Sequence, residues 1–239
     1  VNDLLQAAPI IPLYDPAREG GYGGSPSEDT YGSITLNVPG INTLIENSTF
    51  VNRLLANIYG ELEISKGLNF RSSLQYDKTS ILDELFVPTY DLGYFFTVPP
   101  SGQLQIGTRN SSSMLIENTL SYDKVFGEHD LKVLVGQTYQ DFDFREVRTF
   151  GTGLQKPYIR SLGEASSISA TDNQQPAALA SFLGRINYAY KDRYLLTVNI
   201  RRDGSSKFSE ENRWEFFPSL GLAWKIHNNF TLPAAISEL

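Results

Sequence analysis

The sequence contains no cysteine, which excludes disulfides, thiolate metal ligands and a cysteine nucleophile. Only two histidines are present, His129 and His227, and both sit among turn-forming residues, where they read as solvated side chains rather than ligands. No apolar run approaches the roughly 18 residues of a membrane-spanning helix. Basic runs are missing too. Lys and Arg number 20 against 27 Asp and Glu, a net charge of −7, so the clustered cations that neutralise nucleic-acid phosphates are absent. There is no Gly-x-Ser-x-Gly turn and no His-Glu-x-x-His pair, and the chain is not expected to be an enzyme. Carboxylates on separate loops cannot be paired from sequence, which leaves a two-carboxylate glycosidase as a matter of spatial proximity alone. No cofactor or metal is expected either. Gly204-Ser205-Ser206-Lys207 lacks the spacing of a phosphate-binding loop, and Asp15, Glu19, Glu28 and Asp29 do not match a calcium loop.

What the chain has in abundance is alternation. In the stretch 180–229, Phe182, Gly184, Ile186, Tyr188 and Tyr190 take one parity and Leu183, Arg185, Asn187 and Ala189 the other. In an extended chain these are opposite faces, one apolar and one wet. After Lys191-Asp192-Arg193 the pattern resumes with Tyr194, Leu196, Val198 and Ile200 against Thr197, Asn199 and Arg201. A third run sets Trp214, Phe216, Leu220, Leu222, Trp224 and Ile226 against Glu215, Ser219, Gly221 and Lys225. Further strands are predicted at about 51–65, 68–80, 111–125 and 130–147, giving about seven in all: 178–190, 194–203 and 213–226 complete the set.

Connections between these strands are of two kinds. Tight turns fall near 66, 128, 192 and 228, and long loops at 80–110, 148–177 and 203–213, in strict alternation. Outer-membrane barrels have short periplasmic turns, longer extracellular loops, strands of about 9–11 residues and aromatic residues at both interfaces. Tyr188, Tyr190 and Tyr194 crowd one tight turn, and Trp224 stands beside another. The first fifty residues, rich in Pro and Gly, read as an extended loop region (1–50), followed by a partial barrel (51–239). The fold expected is therefore all-β: an antiparallel up-and-down meander, part of a transmembrane barrel with long extracellular loops. A soluble sheet alternates as well. It would bury Ile186, Val198 and Leu222 against a second layer, whereas a barrel leaves them outward.

The ordered string FLGRINYAYKDRYLLTVNIRRDGSSKF followed by NRWEFFPSLGLAWKI resembles the barrel segment of SusC/RagA-type TonB-dependent outer-membrane transporters. AAPIIPLYD at 7–15, LLANIYGELEISKGLNFRSSLQYD at 54–77 and LKVLVGQTYQ at 131–140 resemble other pieces of the same barrel. Members of that family are several times longer, and this sequence has neither their plug domain nor their TonB-contacting segment. The N-terminal VNDLLQAAPIIPLYD does not read as a signal peptide, which fits an internal piece of a longer chain.

The resemblance implies a receptor in the outer membrane of a Gram-negative bacterium that imports large nutrients, oligosaccharides or peptides, with energy delivered through TonB. It implies a SusD-type surface lipoprotein as partner, and the lipid bilayer as surroundings. The alternative from the residues alone is a soluble, secreted or periplasmic all-β glycan-binding module. Two loops offer ligand-binding chemistry. In one, the aromatic rings of Tyr90, Tyr94, Phe95 and Phe96 stand beside Asp91 and suit amphipathic ligands; in the other, Arg201 and Arg202 suit anionic or sugar oxygens. Packing of loop against loop and ordinary turn chemistry are the competing readings at these two places.

Overall fold

The computed structural model describes residues 12–24, 37–93, 101–154, 156 and 159–226. A short helix, α1 (Val38–Leu44), precedes eight strands: β1 (Glu46–Ser65), β2 (Leu68–Val87), β3 (Gly102–Phe126), β4 (His129–Leu154), β5 (Ser167–Gln174), β6 (Ala177–Tyr190), β7 (Tyr194–Ser205) and β8 (Trp214–Trp224). They form one sheet in the order β1-β2-β3-β4-β6-β7-β8, with β5 also paired to β4. Every strand on this path except β6 follows its neighbour in sequence, and β7 pairs with β6 and β8, as the meander requires.

The sheet is longer and has one more strand than the alternation predicts. The expected loop 80–110 is strand as far as Val87 and again from Gly102. The expected loop 148–177 is strand to Leu154 and contains β5. Within 1–50, read as extended loop, the described residues include α1, and β1 already begins at Glu46. Asn37 caps α1 by accepting from the Gly40 amide at 3.0 Å, while its own amide nitrogen donates to the carbonyls of Leu13 and Gly23. The expected turn at 227–229 lies outside the described residues.

Period-2 polarity fails in these extensions for a physical reason: neither side of them is uniformly apolar. Phe86, Leu104 and Leu154, all buried, pack together with Ile106, Leu162 and Ala165. β5, by contrast, is exposed at every position. It is separated from β6 only by Gln175-Pro176, and both strands pair with β4 antiparallel in one register. The Gln175 amide donates to the Phe144 carbonyl at 2.8 Å, so Pro176 falls at a non-bonded pair and its missing N–H faces away from β4. Pro218 is placed in the same way. It lies opposite Ile200, and the bonds from Lys225 N to Arg193 O and from Ser205 N to Arg213 O mark the odd-numbered β7 residues as the bonded pairs. Position 218 is thus a non-bonded pair, whose missing N–H faces the edge away from β7.

The chain divides into two compact units that interleave in sequence. One comprises Val1–Asn52, Thr79–Asn110 and Arg145–Gln174, the other Arg53–Lys78, Ser111–Phe144 and Gln175–Leu239. The first contains the small buried cluster just described. In the second, buried residues are few, and large apolar side chains such as Leu220 and Leu222 stand exposed. Its tight turns are closed by local chemistry. Lys191 and Asp192 both adopt positive φ (55° and 50°), the paired left-handed geometry that suits the right-handed twist of a hairpin. Gly67 has φ 80°, and a Cβ there would lie 2.3 Å from the Asp123 carbonyl oxygen.

Gly67→Ala should therefore lower stability by about 1–3 kcal/mol, from strain and clash together. Gly60→Ala, placed where a Cβ meets nothing within 4 Å, should change it by less than about 0.5 kcal/mol. Urea unfolding in lipid vesicles, followed by tryptophan fluorescence, measures both.

Candidate functional site

The second unit presents two faces of opposite chemistry, and the pairing registers fix which residues share each. On the apolar face, His129, Tyr190, Tyr194 and Trp224 form one cross-strand row. Their ring centroids are 4.9, 6.5 and 6.3 Å apart in succession. His129 Nδ1 is also 2.6 Å from the Tyr188 hydroxyl. A second row runs through Tyr139, Ala180, Gly204 and Trp214. It lies ten residues from the first on each of the four strands. Ten residues span about 33 Å of strand, which at a tilt of about 40° covers about 25 Å, the height of the apolar band of an outer-membrane barrel.

Between the two rows lie Tyr188-Leu196-Leu222, Ile186-Val198-Leu220 and Gly184-Ile200-Pro218, all uncharged, and then, next to the second row, Phe182-Arg202-Phe216 with a single charge. Ile186 is 42 % exposed and Leu222 76 %, and Val198 is half-buried between its neighbours. Among the described residues no second layer covers them, the arrangement that separates a barrel wall from a soluble sandwich.

The opposite face is a hydrogen-bonded polar ladder. Arg185 Nε donates to Asn199 Oδ1 at 2.6 Å, Asn199 Nδ2 to Ser219 Oγ at 3.0 Å, and Thr197 Oγ1 to Asn187 Oδ1 at 3.0 Å. Toward the long loops this ladder ends in a cleft of about 220 Å³, lined by Ser181, Arg201, Asp203, Arg213, Glu215 and Phe217 among others. Arg201 Nε donates to both oxygens of Asp203, at 2.7 and 2.8 Å, and its Nη2 reaches Ser181 Oγ at 3.3 Å. Arg213 Nε is buried with no acceptor among the described residues, and Phe217 is half exposed. Arg201 and Arg202, adjacent in sequence, do not act together. Arg202 pairs with Phe182 and Phe216 on the apolar face, its guanidinium 5.1 Å from the Trp214 ring.

In the first unit, Tyr90 and Asp91 are held against the 14–22 hairpin. Arg18 Nη1 donates to Asp91 Oδ1 at 2.9 Å, and the Asp91 amide donates to the Glu19 carbonyl at 2.8 Å. Asp91 Oδ1 also accepts from the Gly93 amide. Tyr94, Phe95 and Phe96 lie outside the described residues.

A further polar cup, of about 360 Å³, is lined by Thr49, Asp83, Gln105, Arg109, Glu146 and Arg148 among others. Thr49 Oγ1 donates to Asp83 Oδ1 at 2.7 Å and Arg109 Nη2 to Oδ2 at 2.6 Å. The bonds from Thr49 and then Arg109 hold the Asp83 carboxyl below its ordinary value. The signal was present in the one-parity placement of Thr49, Asp83 and Arg109, but parity is not applied to stretches read as loop. Among the described residues, no three metal-ligating side chains come together.

Comparison with known proteins agrees with this geometry. The family described as "TonB dependent receptor-like, beta-barrel" matches residues 10–238. TonB-dependent receptor P26 of Formosa agariphila is 30 % identical over 230 residues, covering 94 % of this chain and 23 % of that protein. TonB-dependent receptor SusC of Bacteroides thetaiotaomicron is 41 % identical over 110 residues, 45 % of this chain and 10 % of SusC. Among solved structures, the RagAB peptide importer in its closed-closed state superposes with a TM-score of 0.76 at 22 % identity, over 90 % of this chain and 24 % of that one. The chain thus spans about a quarter or less of the length of these proteins.

Two outcomes test the faces. Ile186→Arg and Val198→Arg place a charge mid-band and should each cost about 2–4 kcal/mol of folding in a bilayer, whereas Asn187→Arg and Asn199→Arg should cost far less; refolding into vesicles reads the difference. For Asp83, the folded pKa lies below the unfolded one. Its contribution is therefore complete above the ordinary carboxylate range and is lost as pH falls through the folded value. Asp83→Asn should flatten the acid limb of stability against pH, measured by urea midpoints.

Proposed function

The chain belongs to the family of TonB-dependent receptor β-barrels, and from that premise we propose that it forms part of the wall and loops of an outer-membrane receptor importing large nutrients. The carrying observation is the apolar face, with Arg202 its one charge, bounded by two aromatic rows ten residues apart and matched to a bilayer's apolar thickness. The opposite face carries fixed hydrogen-bonding groups instead, and lines the water-filled side. Its role is binding and passage, not catalysis.

The place of action is the outer membrane of a Gram-negative bacterium, with the tight turns toward the periplasm and the long loops outside. Resemblance to SusC/RagA transporters supports oligosaccharides or peptides as cargo, import driven through TonB, and a SusD-type surface lipoprotein as partner. Ligand contacts on this stretch fall to the Arg201 cleft and to the loop from Tyr90 through Phe96. Arg201 already makes two bonds to Asp203, so its guanidinium is oriented before a ligand arrives, which reduces the ordering cost of binding. The exposed Ile186 and Leu222 weigh against a soluble glycan-binding module.

Deletion of the gene from its source bacterium, followed by growth on panels of oligosaccharides and peptides as sole nutrient, tests the proposal. Growth on one ligand class should be lost, with no additional loss when TonB is also removed. Unchanged growth on every large nutrient, or uptake that persists without TonB, overturns it.

A further inference from the structure

Arg202 is the only charged side chain on the apolar face of β6, β7 and β8. It is exposed, and among the described residues no carboxylate lies within ion-pair distance of it. Its position is built. Phe182 and Phe216 flank it in register on the two neighbouring strands. Trp214 stacks on Phe182 with centroids 6.0 Å apart and lies beneath the guanidinium at 5.1 Å. Trp214 can reach across because position 204 has no side chain: a Cβ on Gly204 would sit 2.7 Å from the indole. The result is a planar cation held on an aromatic floor at the long-loop edge of the apolar band, one step inside the outer aromatic row.

A bare charge at such a depth is unfavourable unless it is solvated or paired, and the aromatic floor satisfies only one of its faces. Among the described residues nothing accepts a hydrogen bond from Arg202. A guanidinium offers its donors in a rigid fork that matches phosphate oxygens two at a time, and it is less strongly hydrated than an ammonium. On the lipid-facing side the groups present at this depth are headgroups. We propose that Arg202, set on Trp214 between Phe182 and Phe216, is a docking point for the phosphate of a lipid headgroup in the leaflet on the long-loop side. The proposal rests on the membrane-barrel reading. It gives Arg202 a partner different from the cargo that faces Arg201.

The test uses the full-length receptor in nanodiscs of a phosphate-free galactolipid, with a fluorine label on the Phe216 ring read by ¹⁹F NMR while bisphosphorylated lipid A is added. A saturable shift is expected, absent with dephosphorylated lipid A. Arg202→Gln should weaken it about tenfold, as loss of a charge-assisted hydrogen bond would, and Arg202→Lys should weaken it less. Resistance of the folded band to detergent before heating verifies that each variant is folded. Identical titrations for wild type and Arg202→Gln overturn the proposal, as does an equal shift with dephosphorylated lipid. Inorganic phosphate giving the same shift without lipid A overturns the lipid source. Access of a water-soluble paramagnetic agent to the label, undiminished by the bilayer, overturns the barrel reading instead.

Discussion

A strand that separates lipid from water has nowhere to leave a backbone N–H or C=O unpaired, so each must bond along the sheet. Everything regular in this chain follows from that demand. Long strands pair in sequence order because hairpins are the shortest route to a continuous ladder. The two prolines inside the strand region show how strict the demand is. Pro218 stands within the apolar band, yet at a non-bonded pair with Ile200, where the β7 ladder asks nothing of it. Pro176 follows the same rule: with Gln175 bonded to Phe144, the missing N–H of Pro176 faces away from β4.

Once the ladder is fixed, register decides chemistry. Successive side chains face different solvents, so neighbours in sequence have unrelated roles. Arg201 and Arg202 are the sharpest instance, one bonded to Asp203 and Ser181 on the wet face, the other laid on Trp214 on the apolar face. Read as a motif, the pair looks like one gripping tip. Read in register, it is two sites. Gly204 has the same double character: it sits in a polar loop motif, but the space it leaves is filled by Trp214 from the next strand.

How far the sequence could be read follows the same division. Within the band, lipid on one side and water on the other impose alternation, and strands β6 to β8 were legible nearly to the residue. Beyond it no such contrast operates. Phe86 and Leu104 are buried under Leu162 and Ala165 rather than facing lipid, while β5 is exposed on both sides. The pattern dissolves although the strands continue. The polar cup around Asp83 was missed for this reason, because parity tells nothing about a stretch taken for loop. Asp91 was illegible in another way: its partner Arg18 is 73 positions distant, and no local rule connects them.

The tight-turn ends show what the remaining charge does. Glu128 binds Lys191 at 3.2 Å and Asp192 binds Lys225, linking the turn after β6 to its neighbours on both sides. These pairs are exposed and contribute little individually to stability. Their place is informative all the same. Beside the His129–Tyr190–Tyr194–Trp224 row, charge begins where the aromatic residues end, and at the other end Asp141 follows Tyr139 on the same face. A soluble sheet has no reason to keep every charge on this face but that of Arg202 beyond two parallel lines set ten residues apart. A sheet crossing a bilayer does, because a charge moved inward along the same strand loses its water with each step.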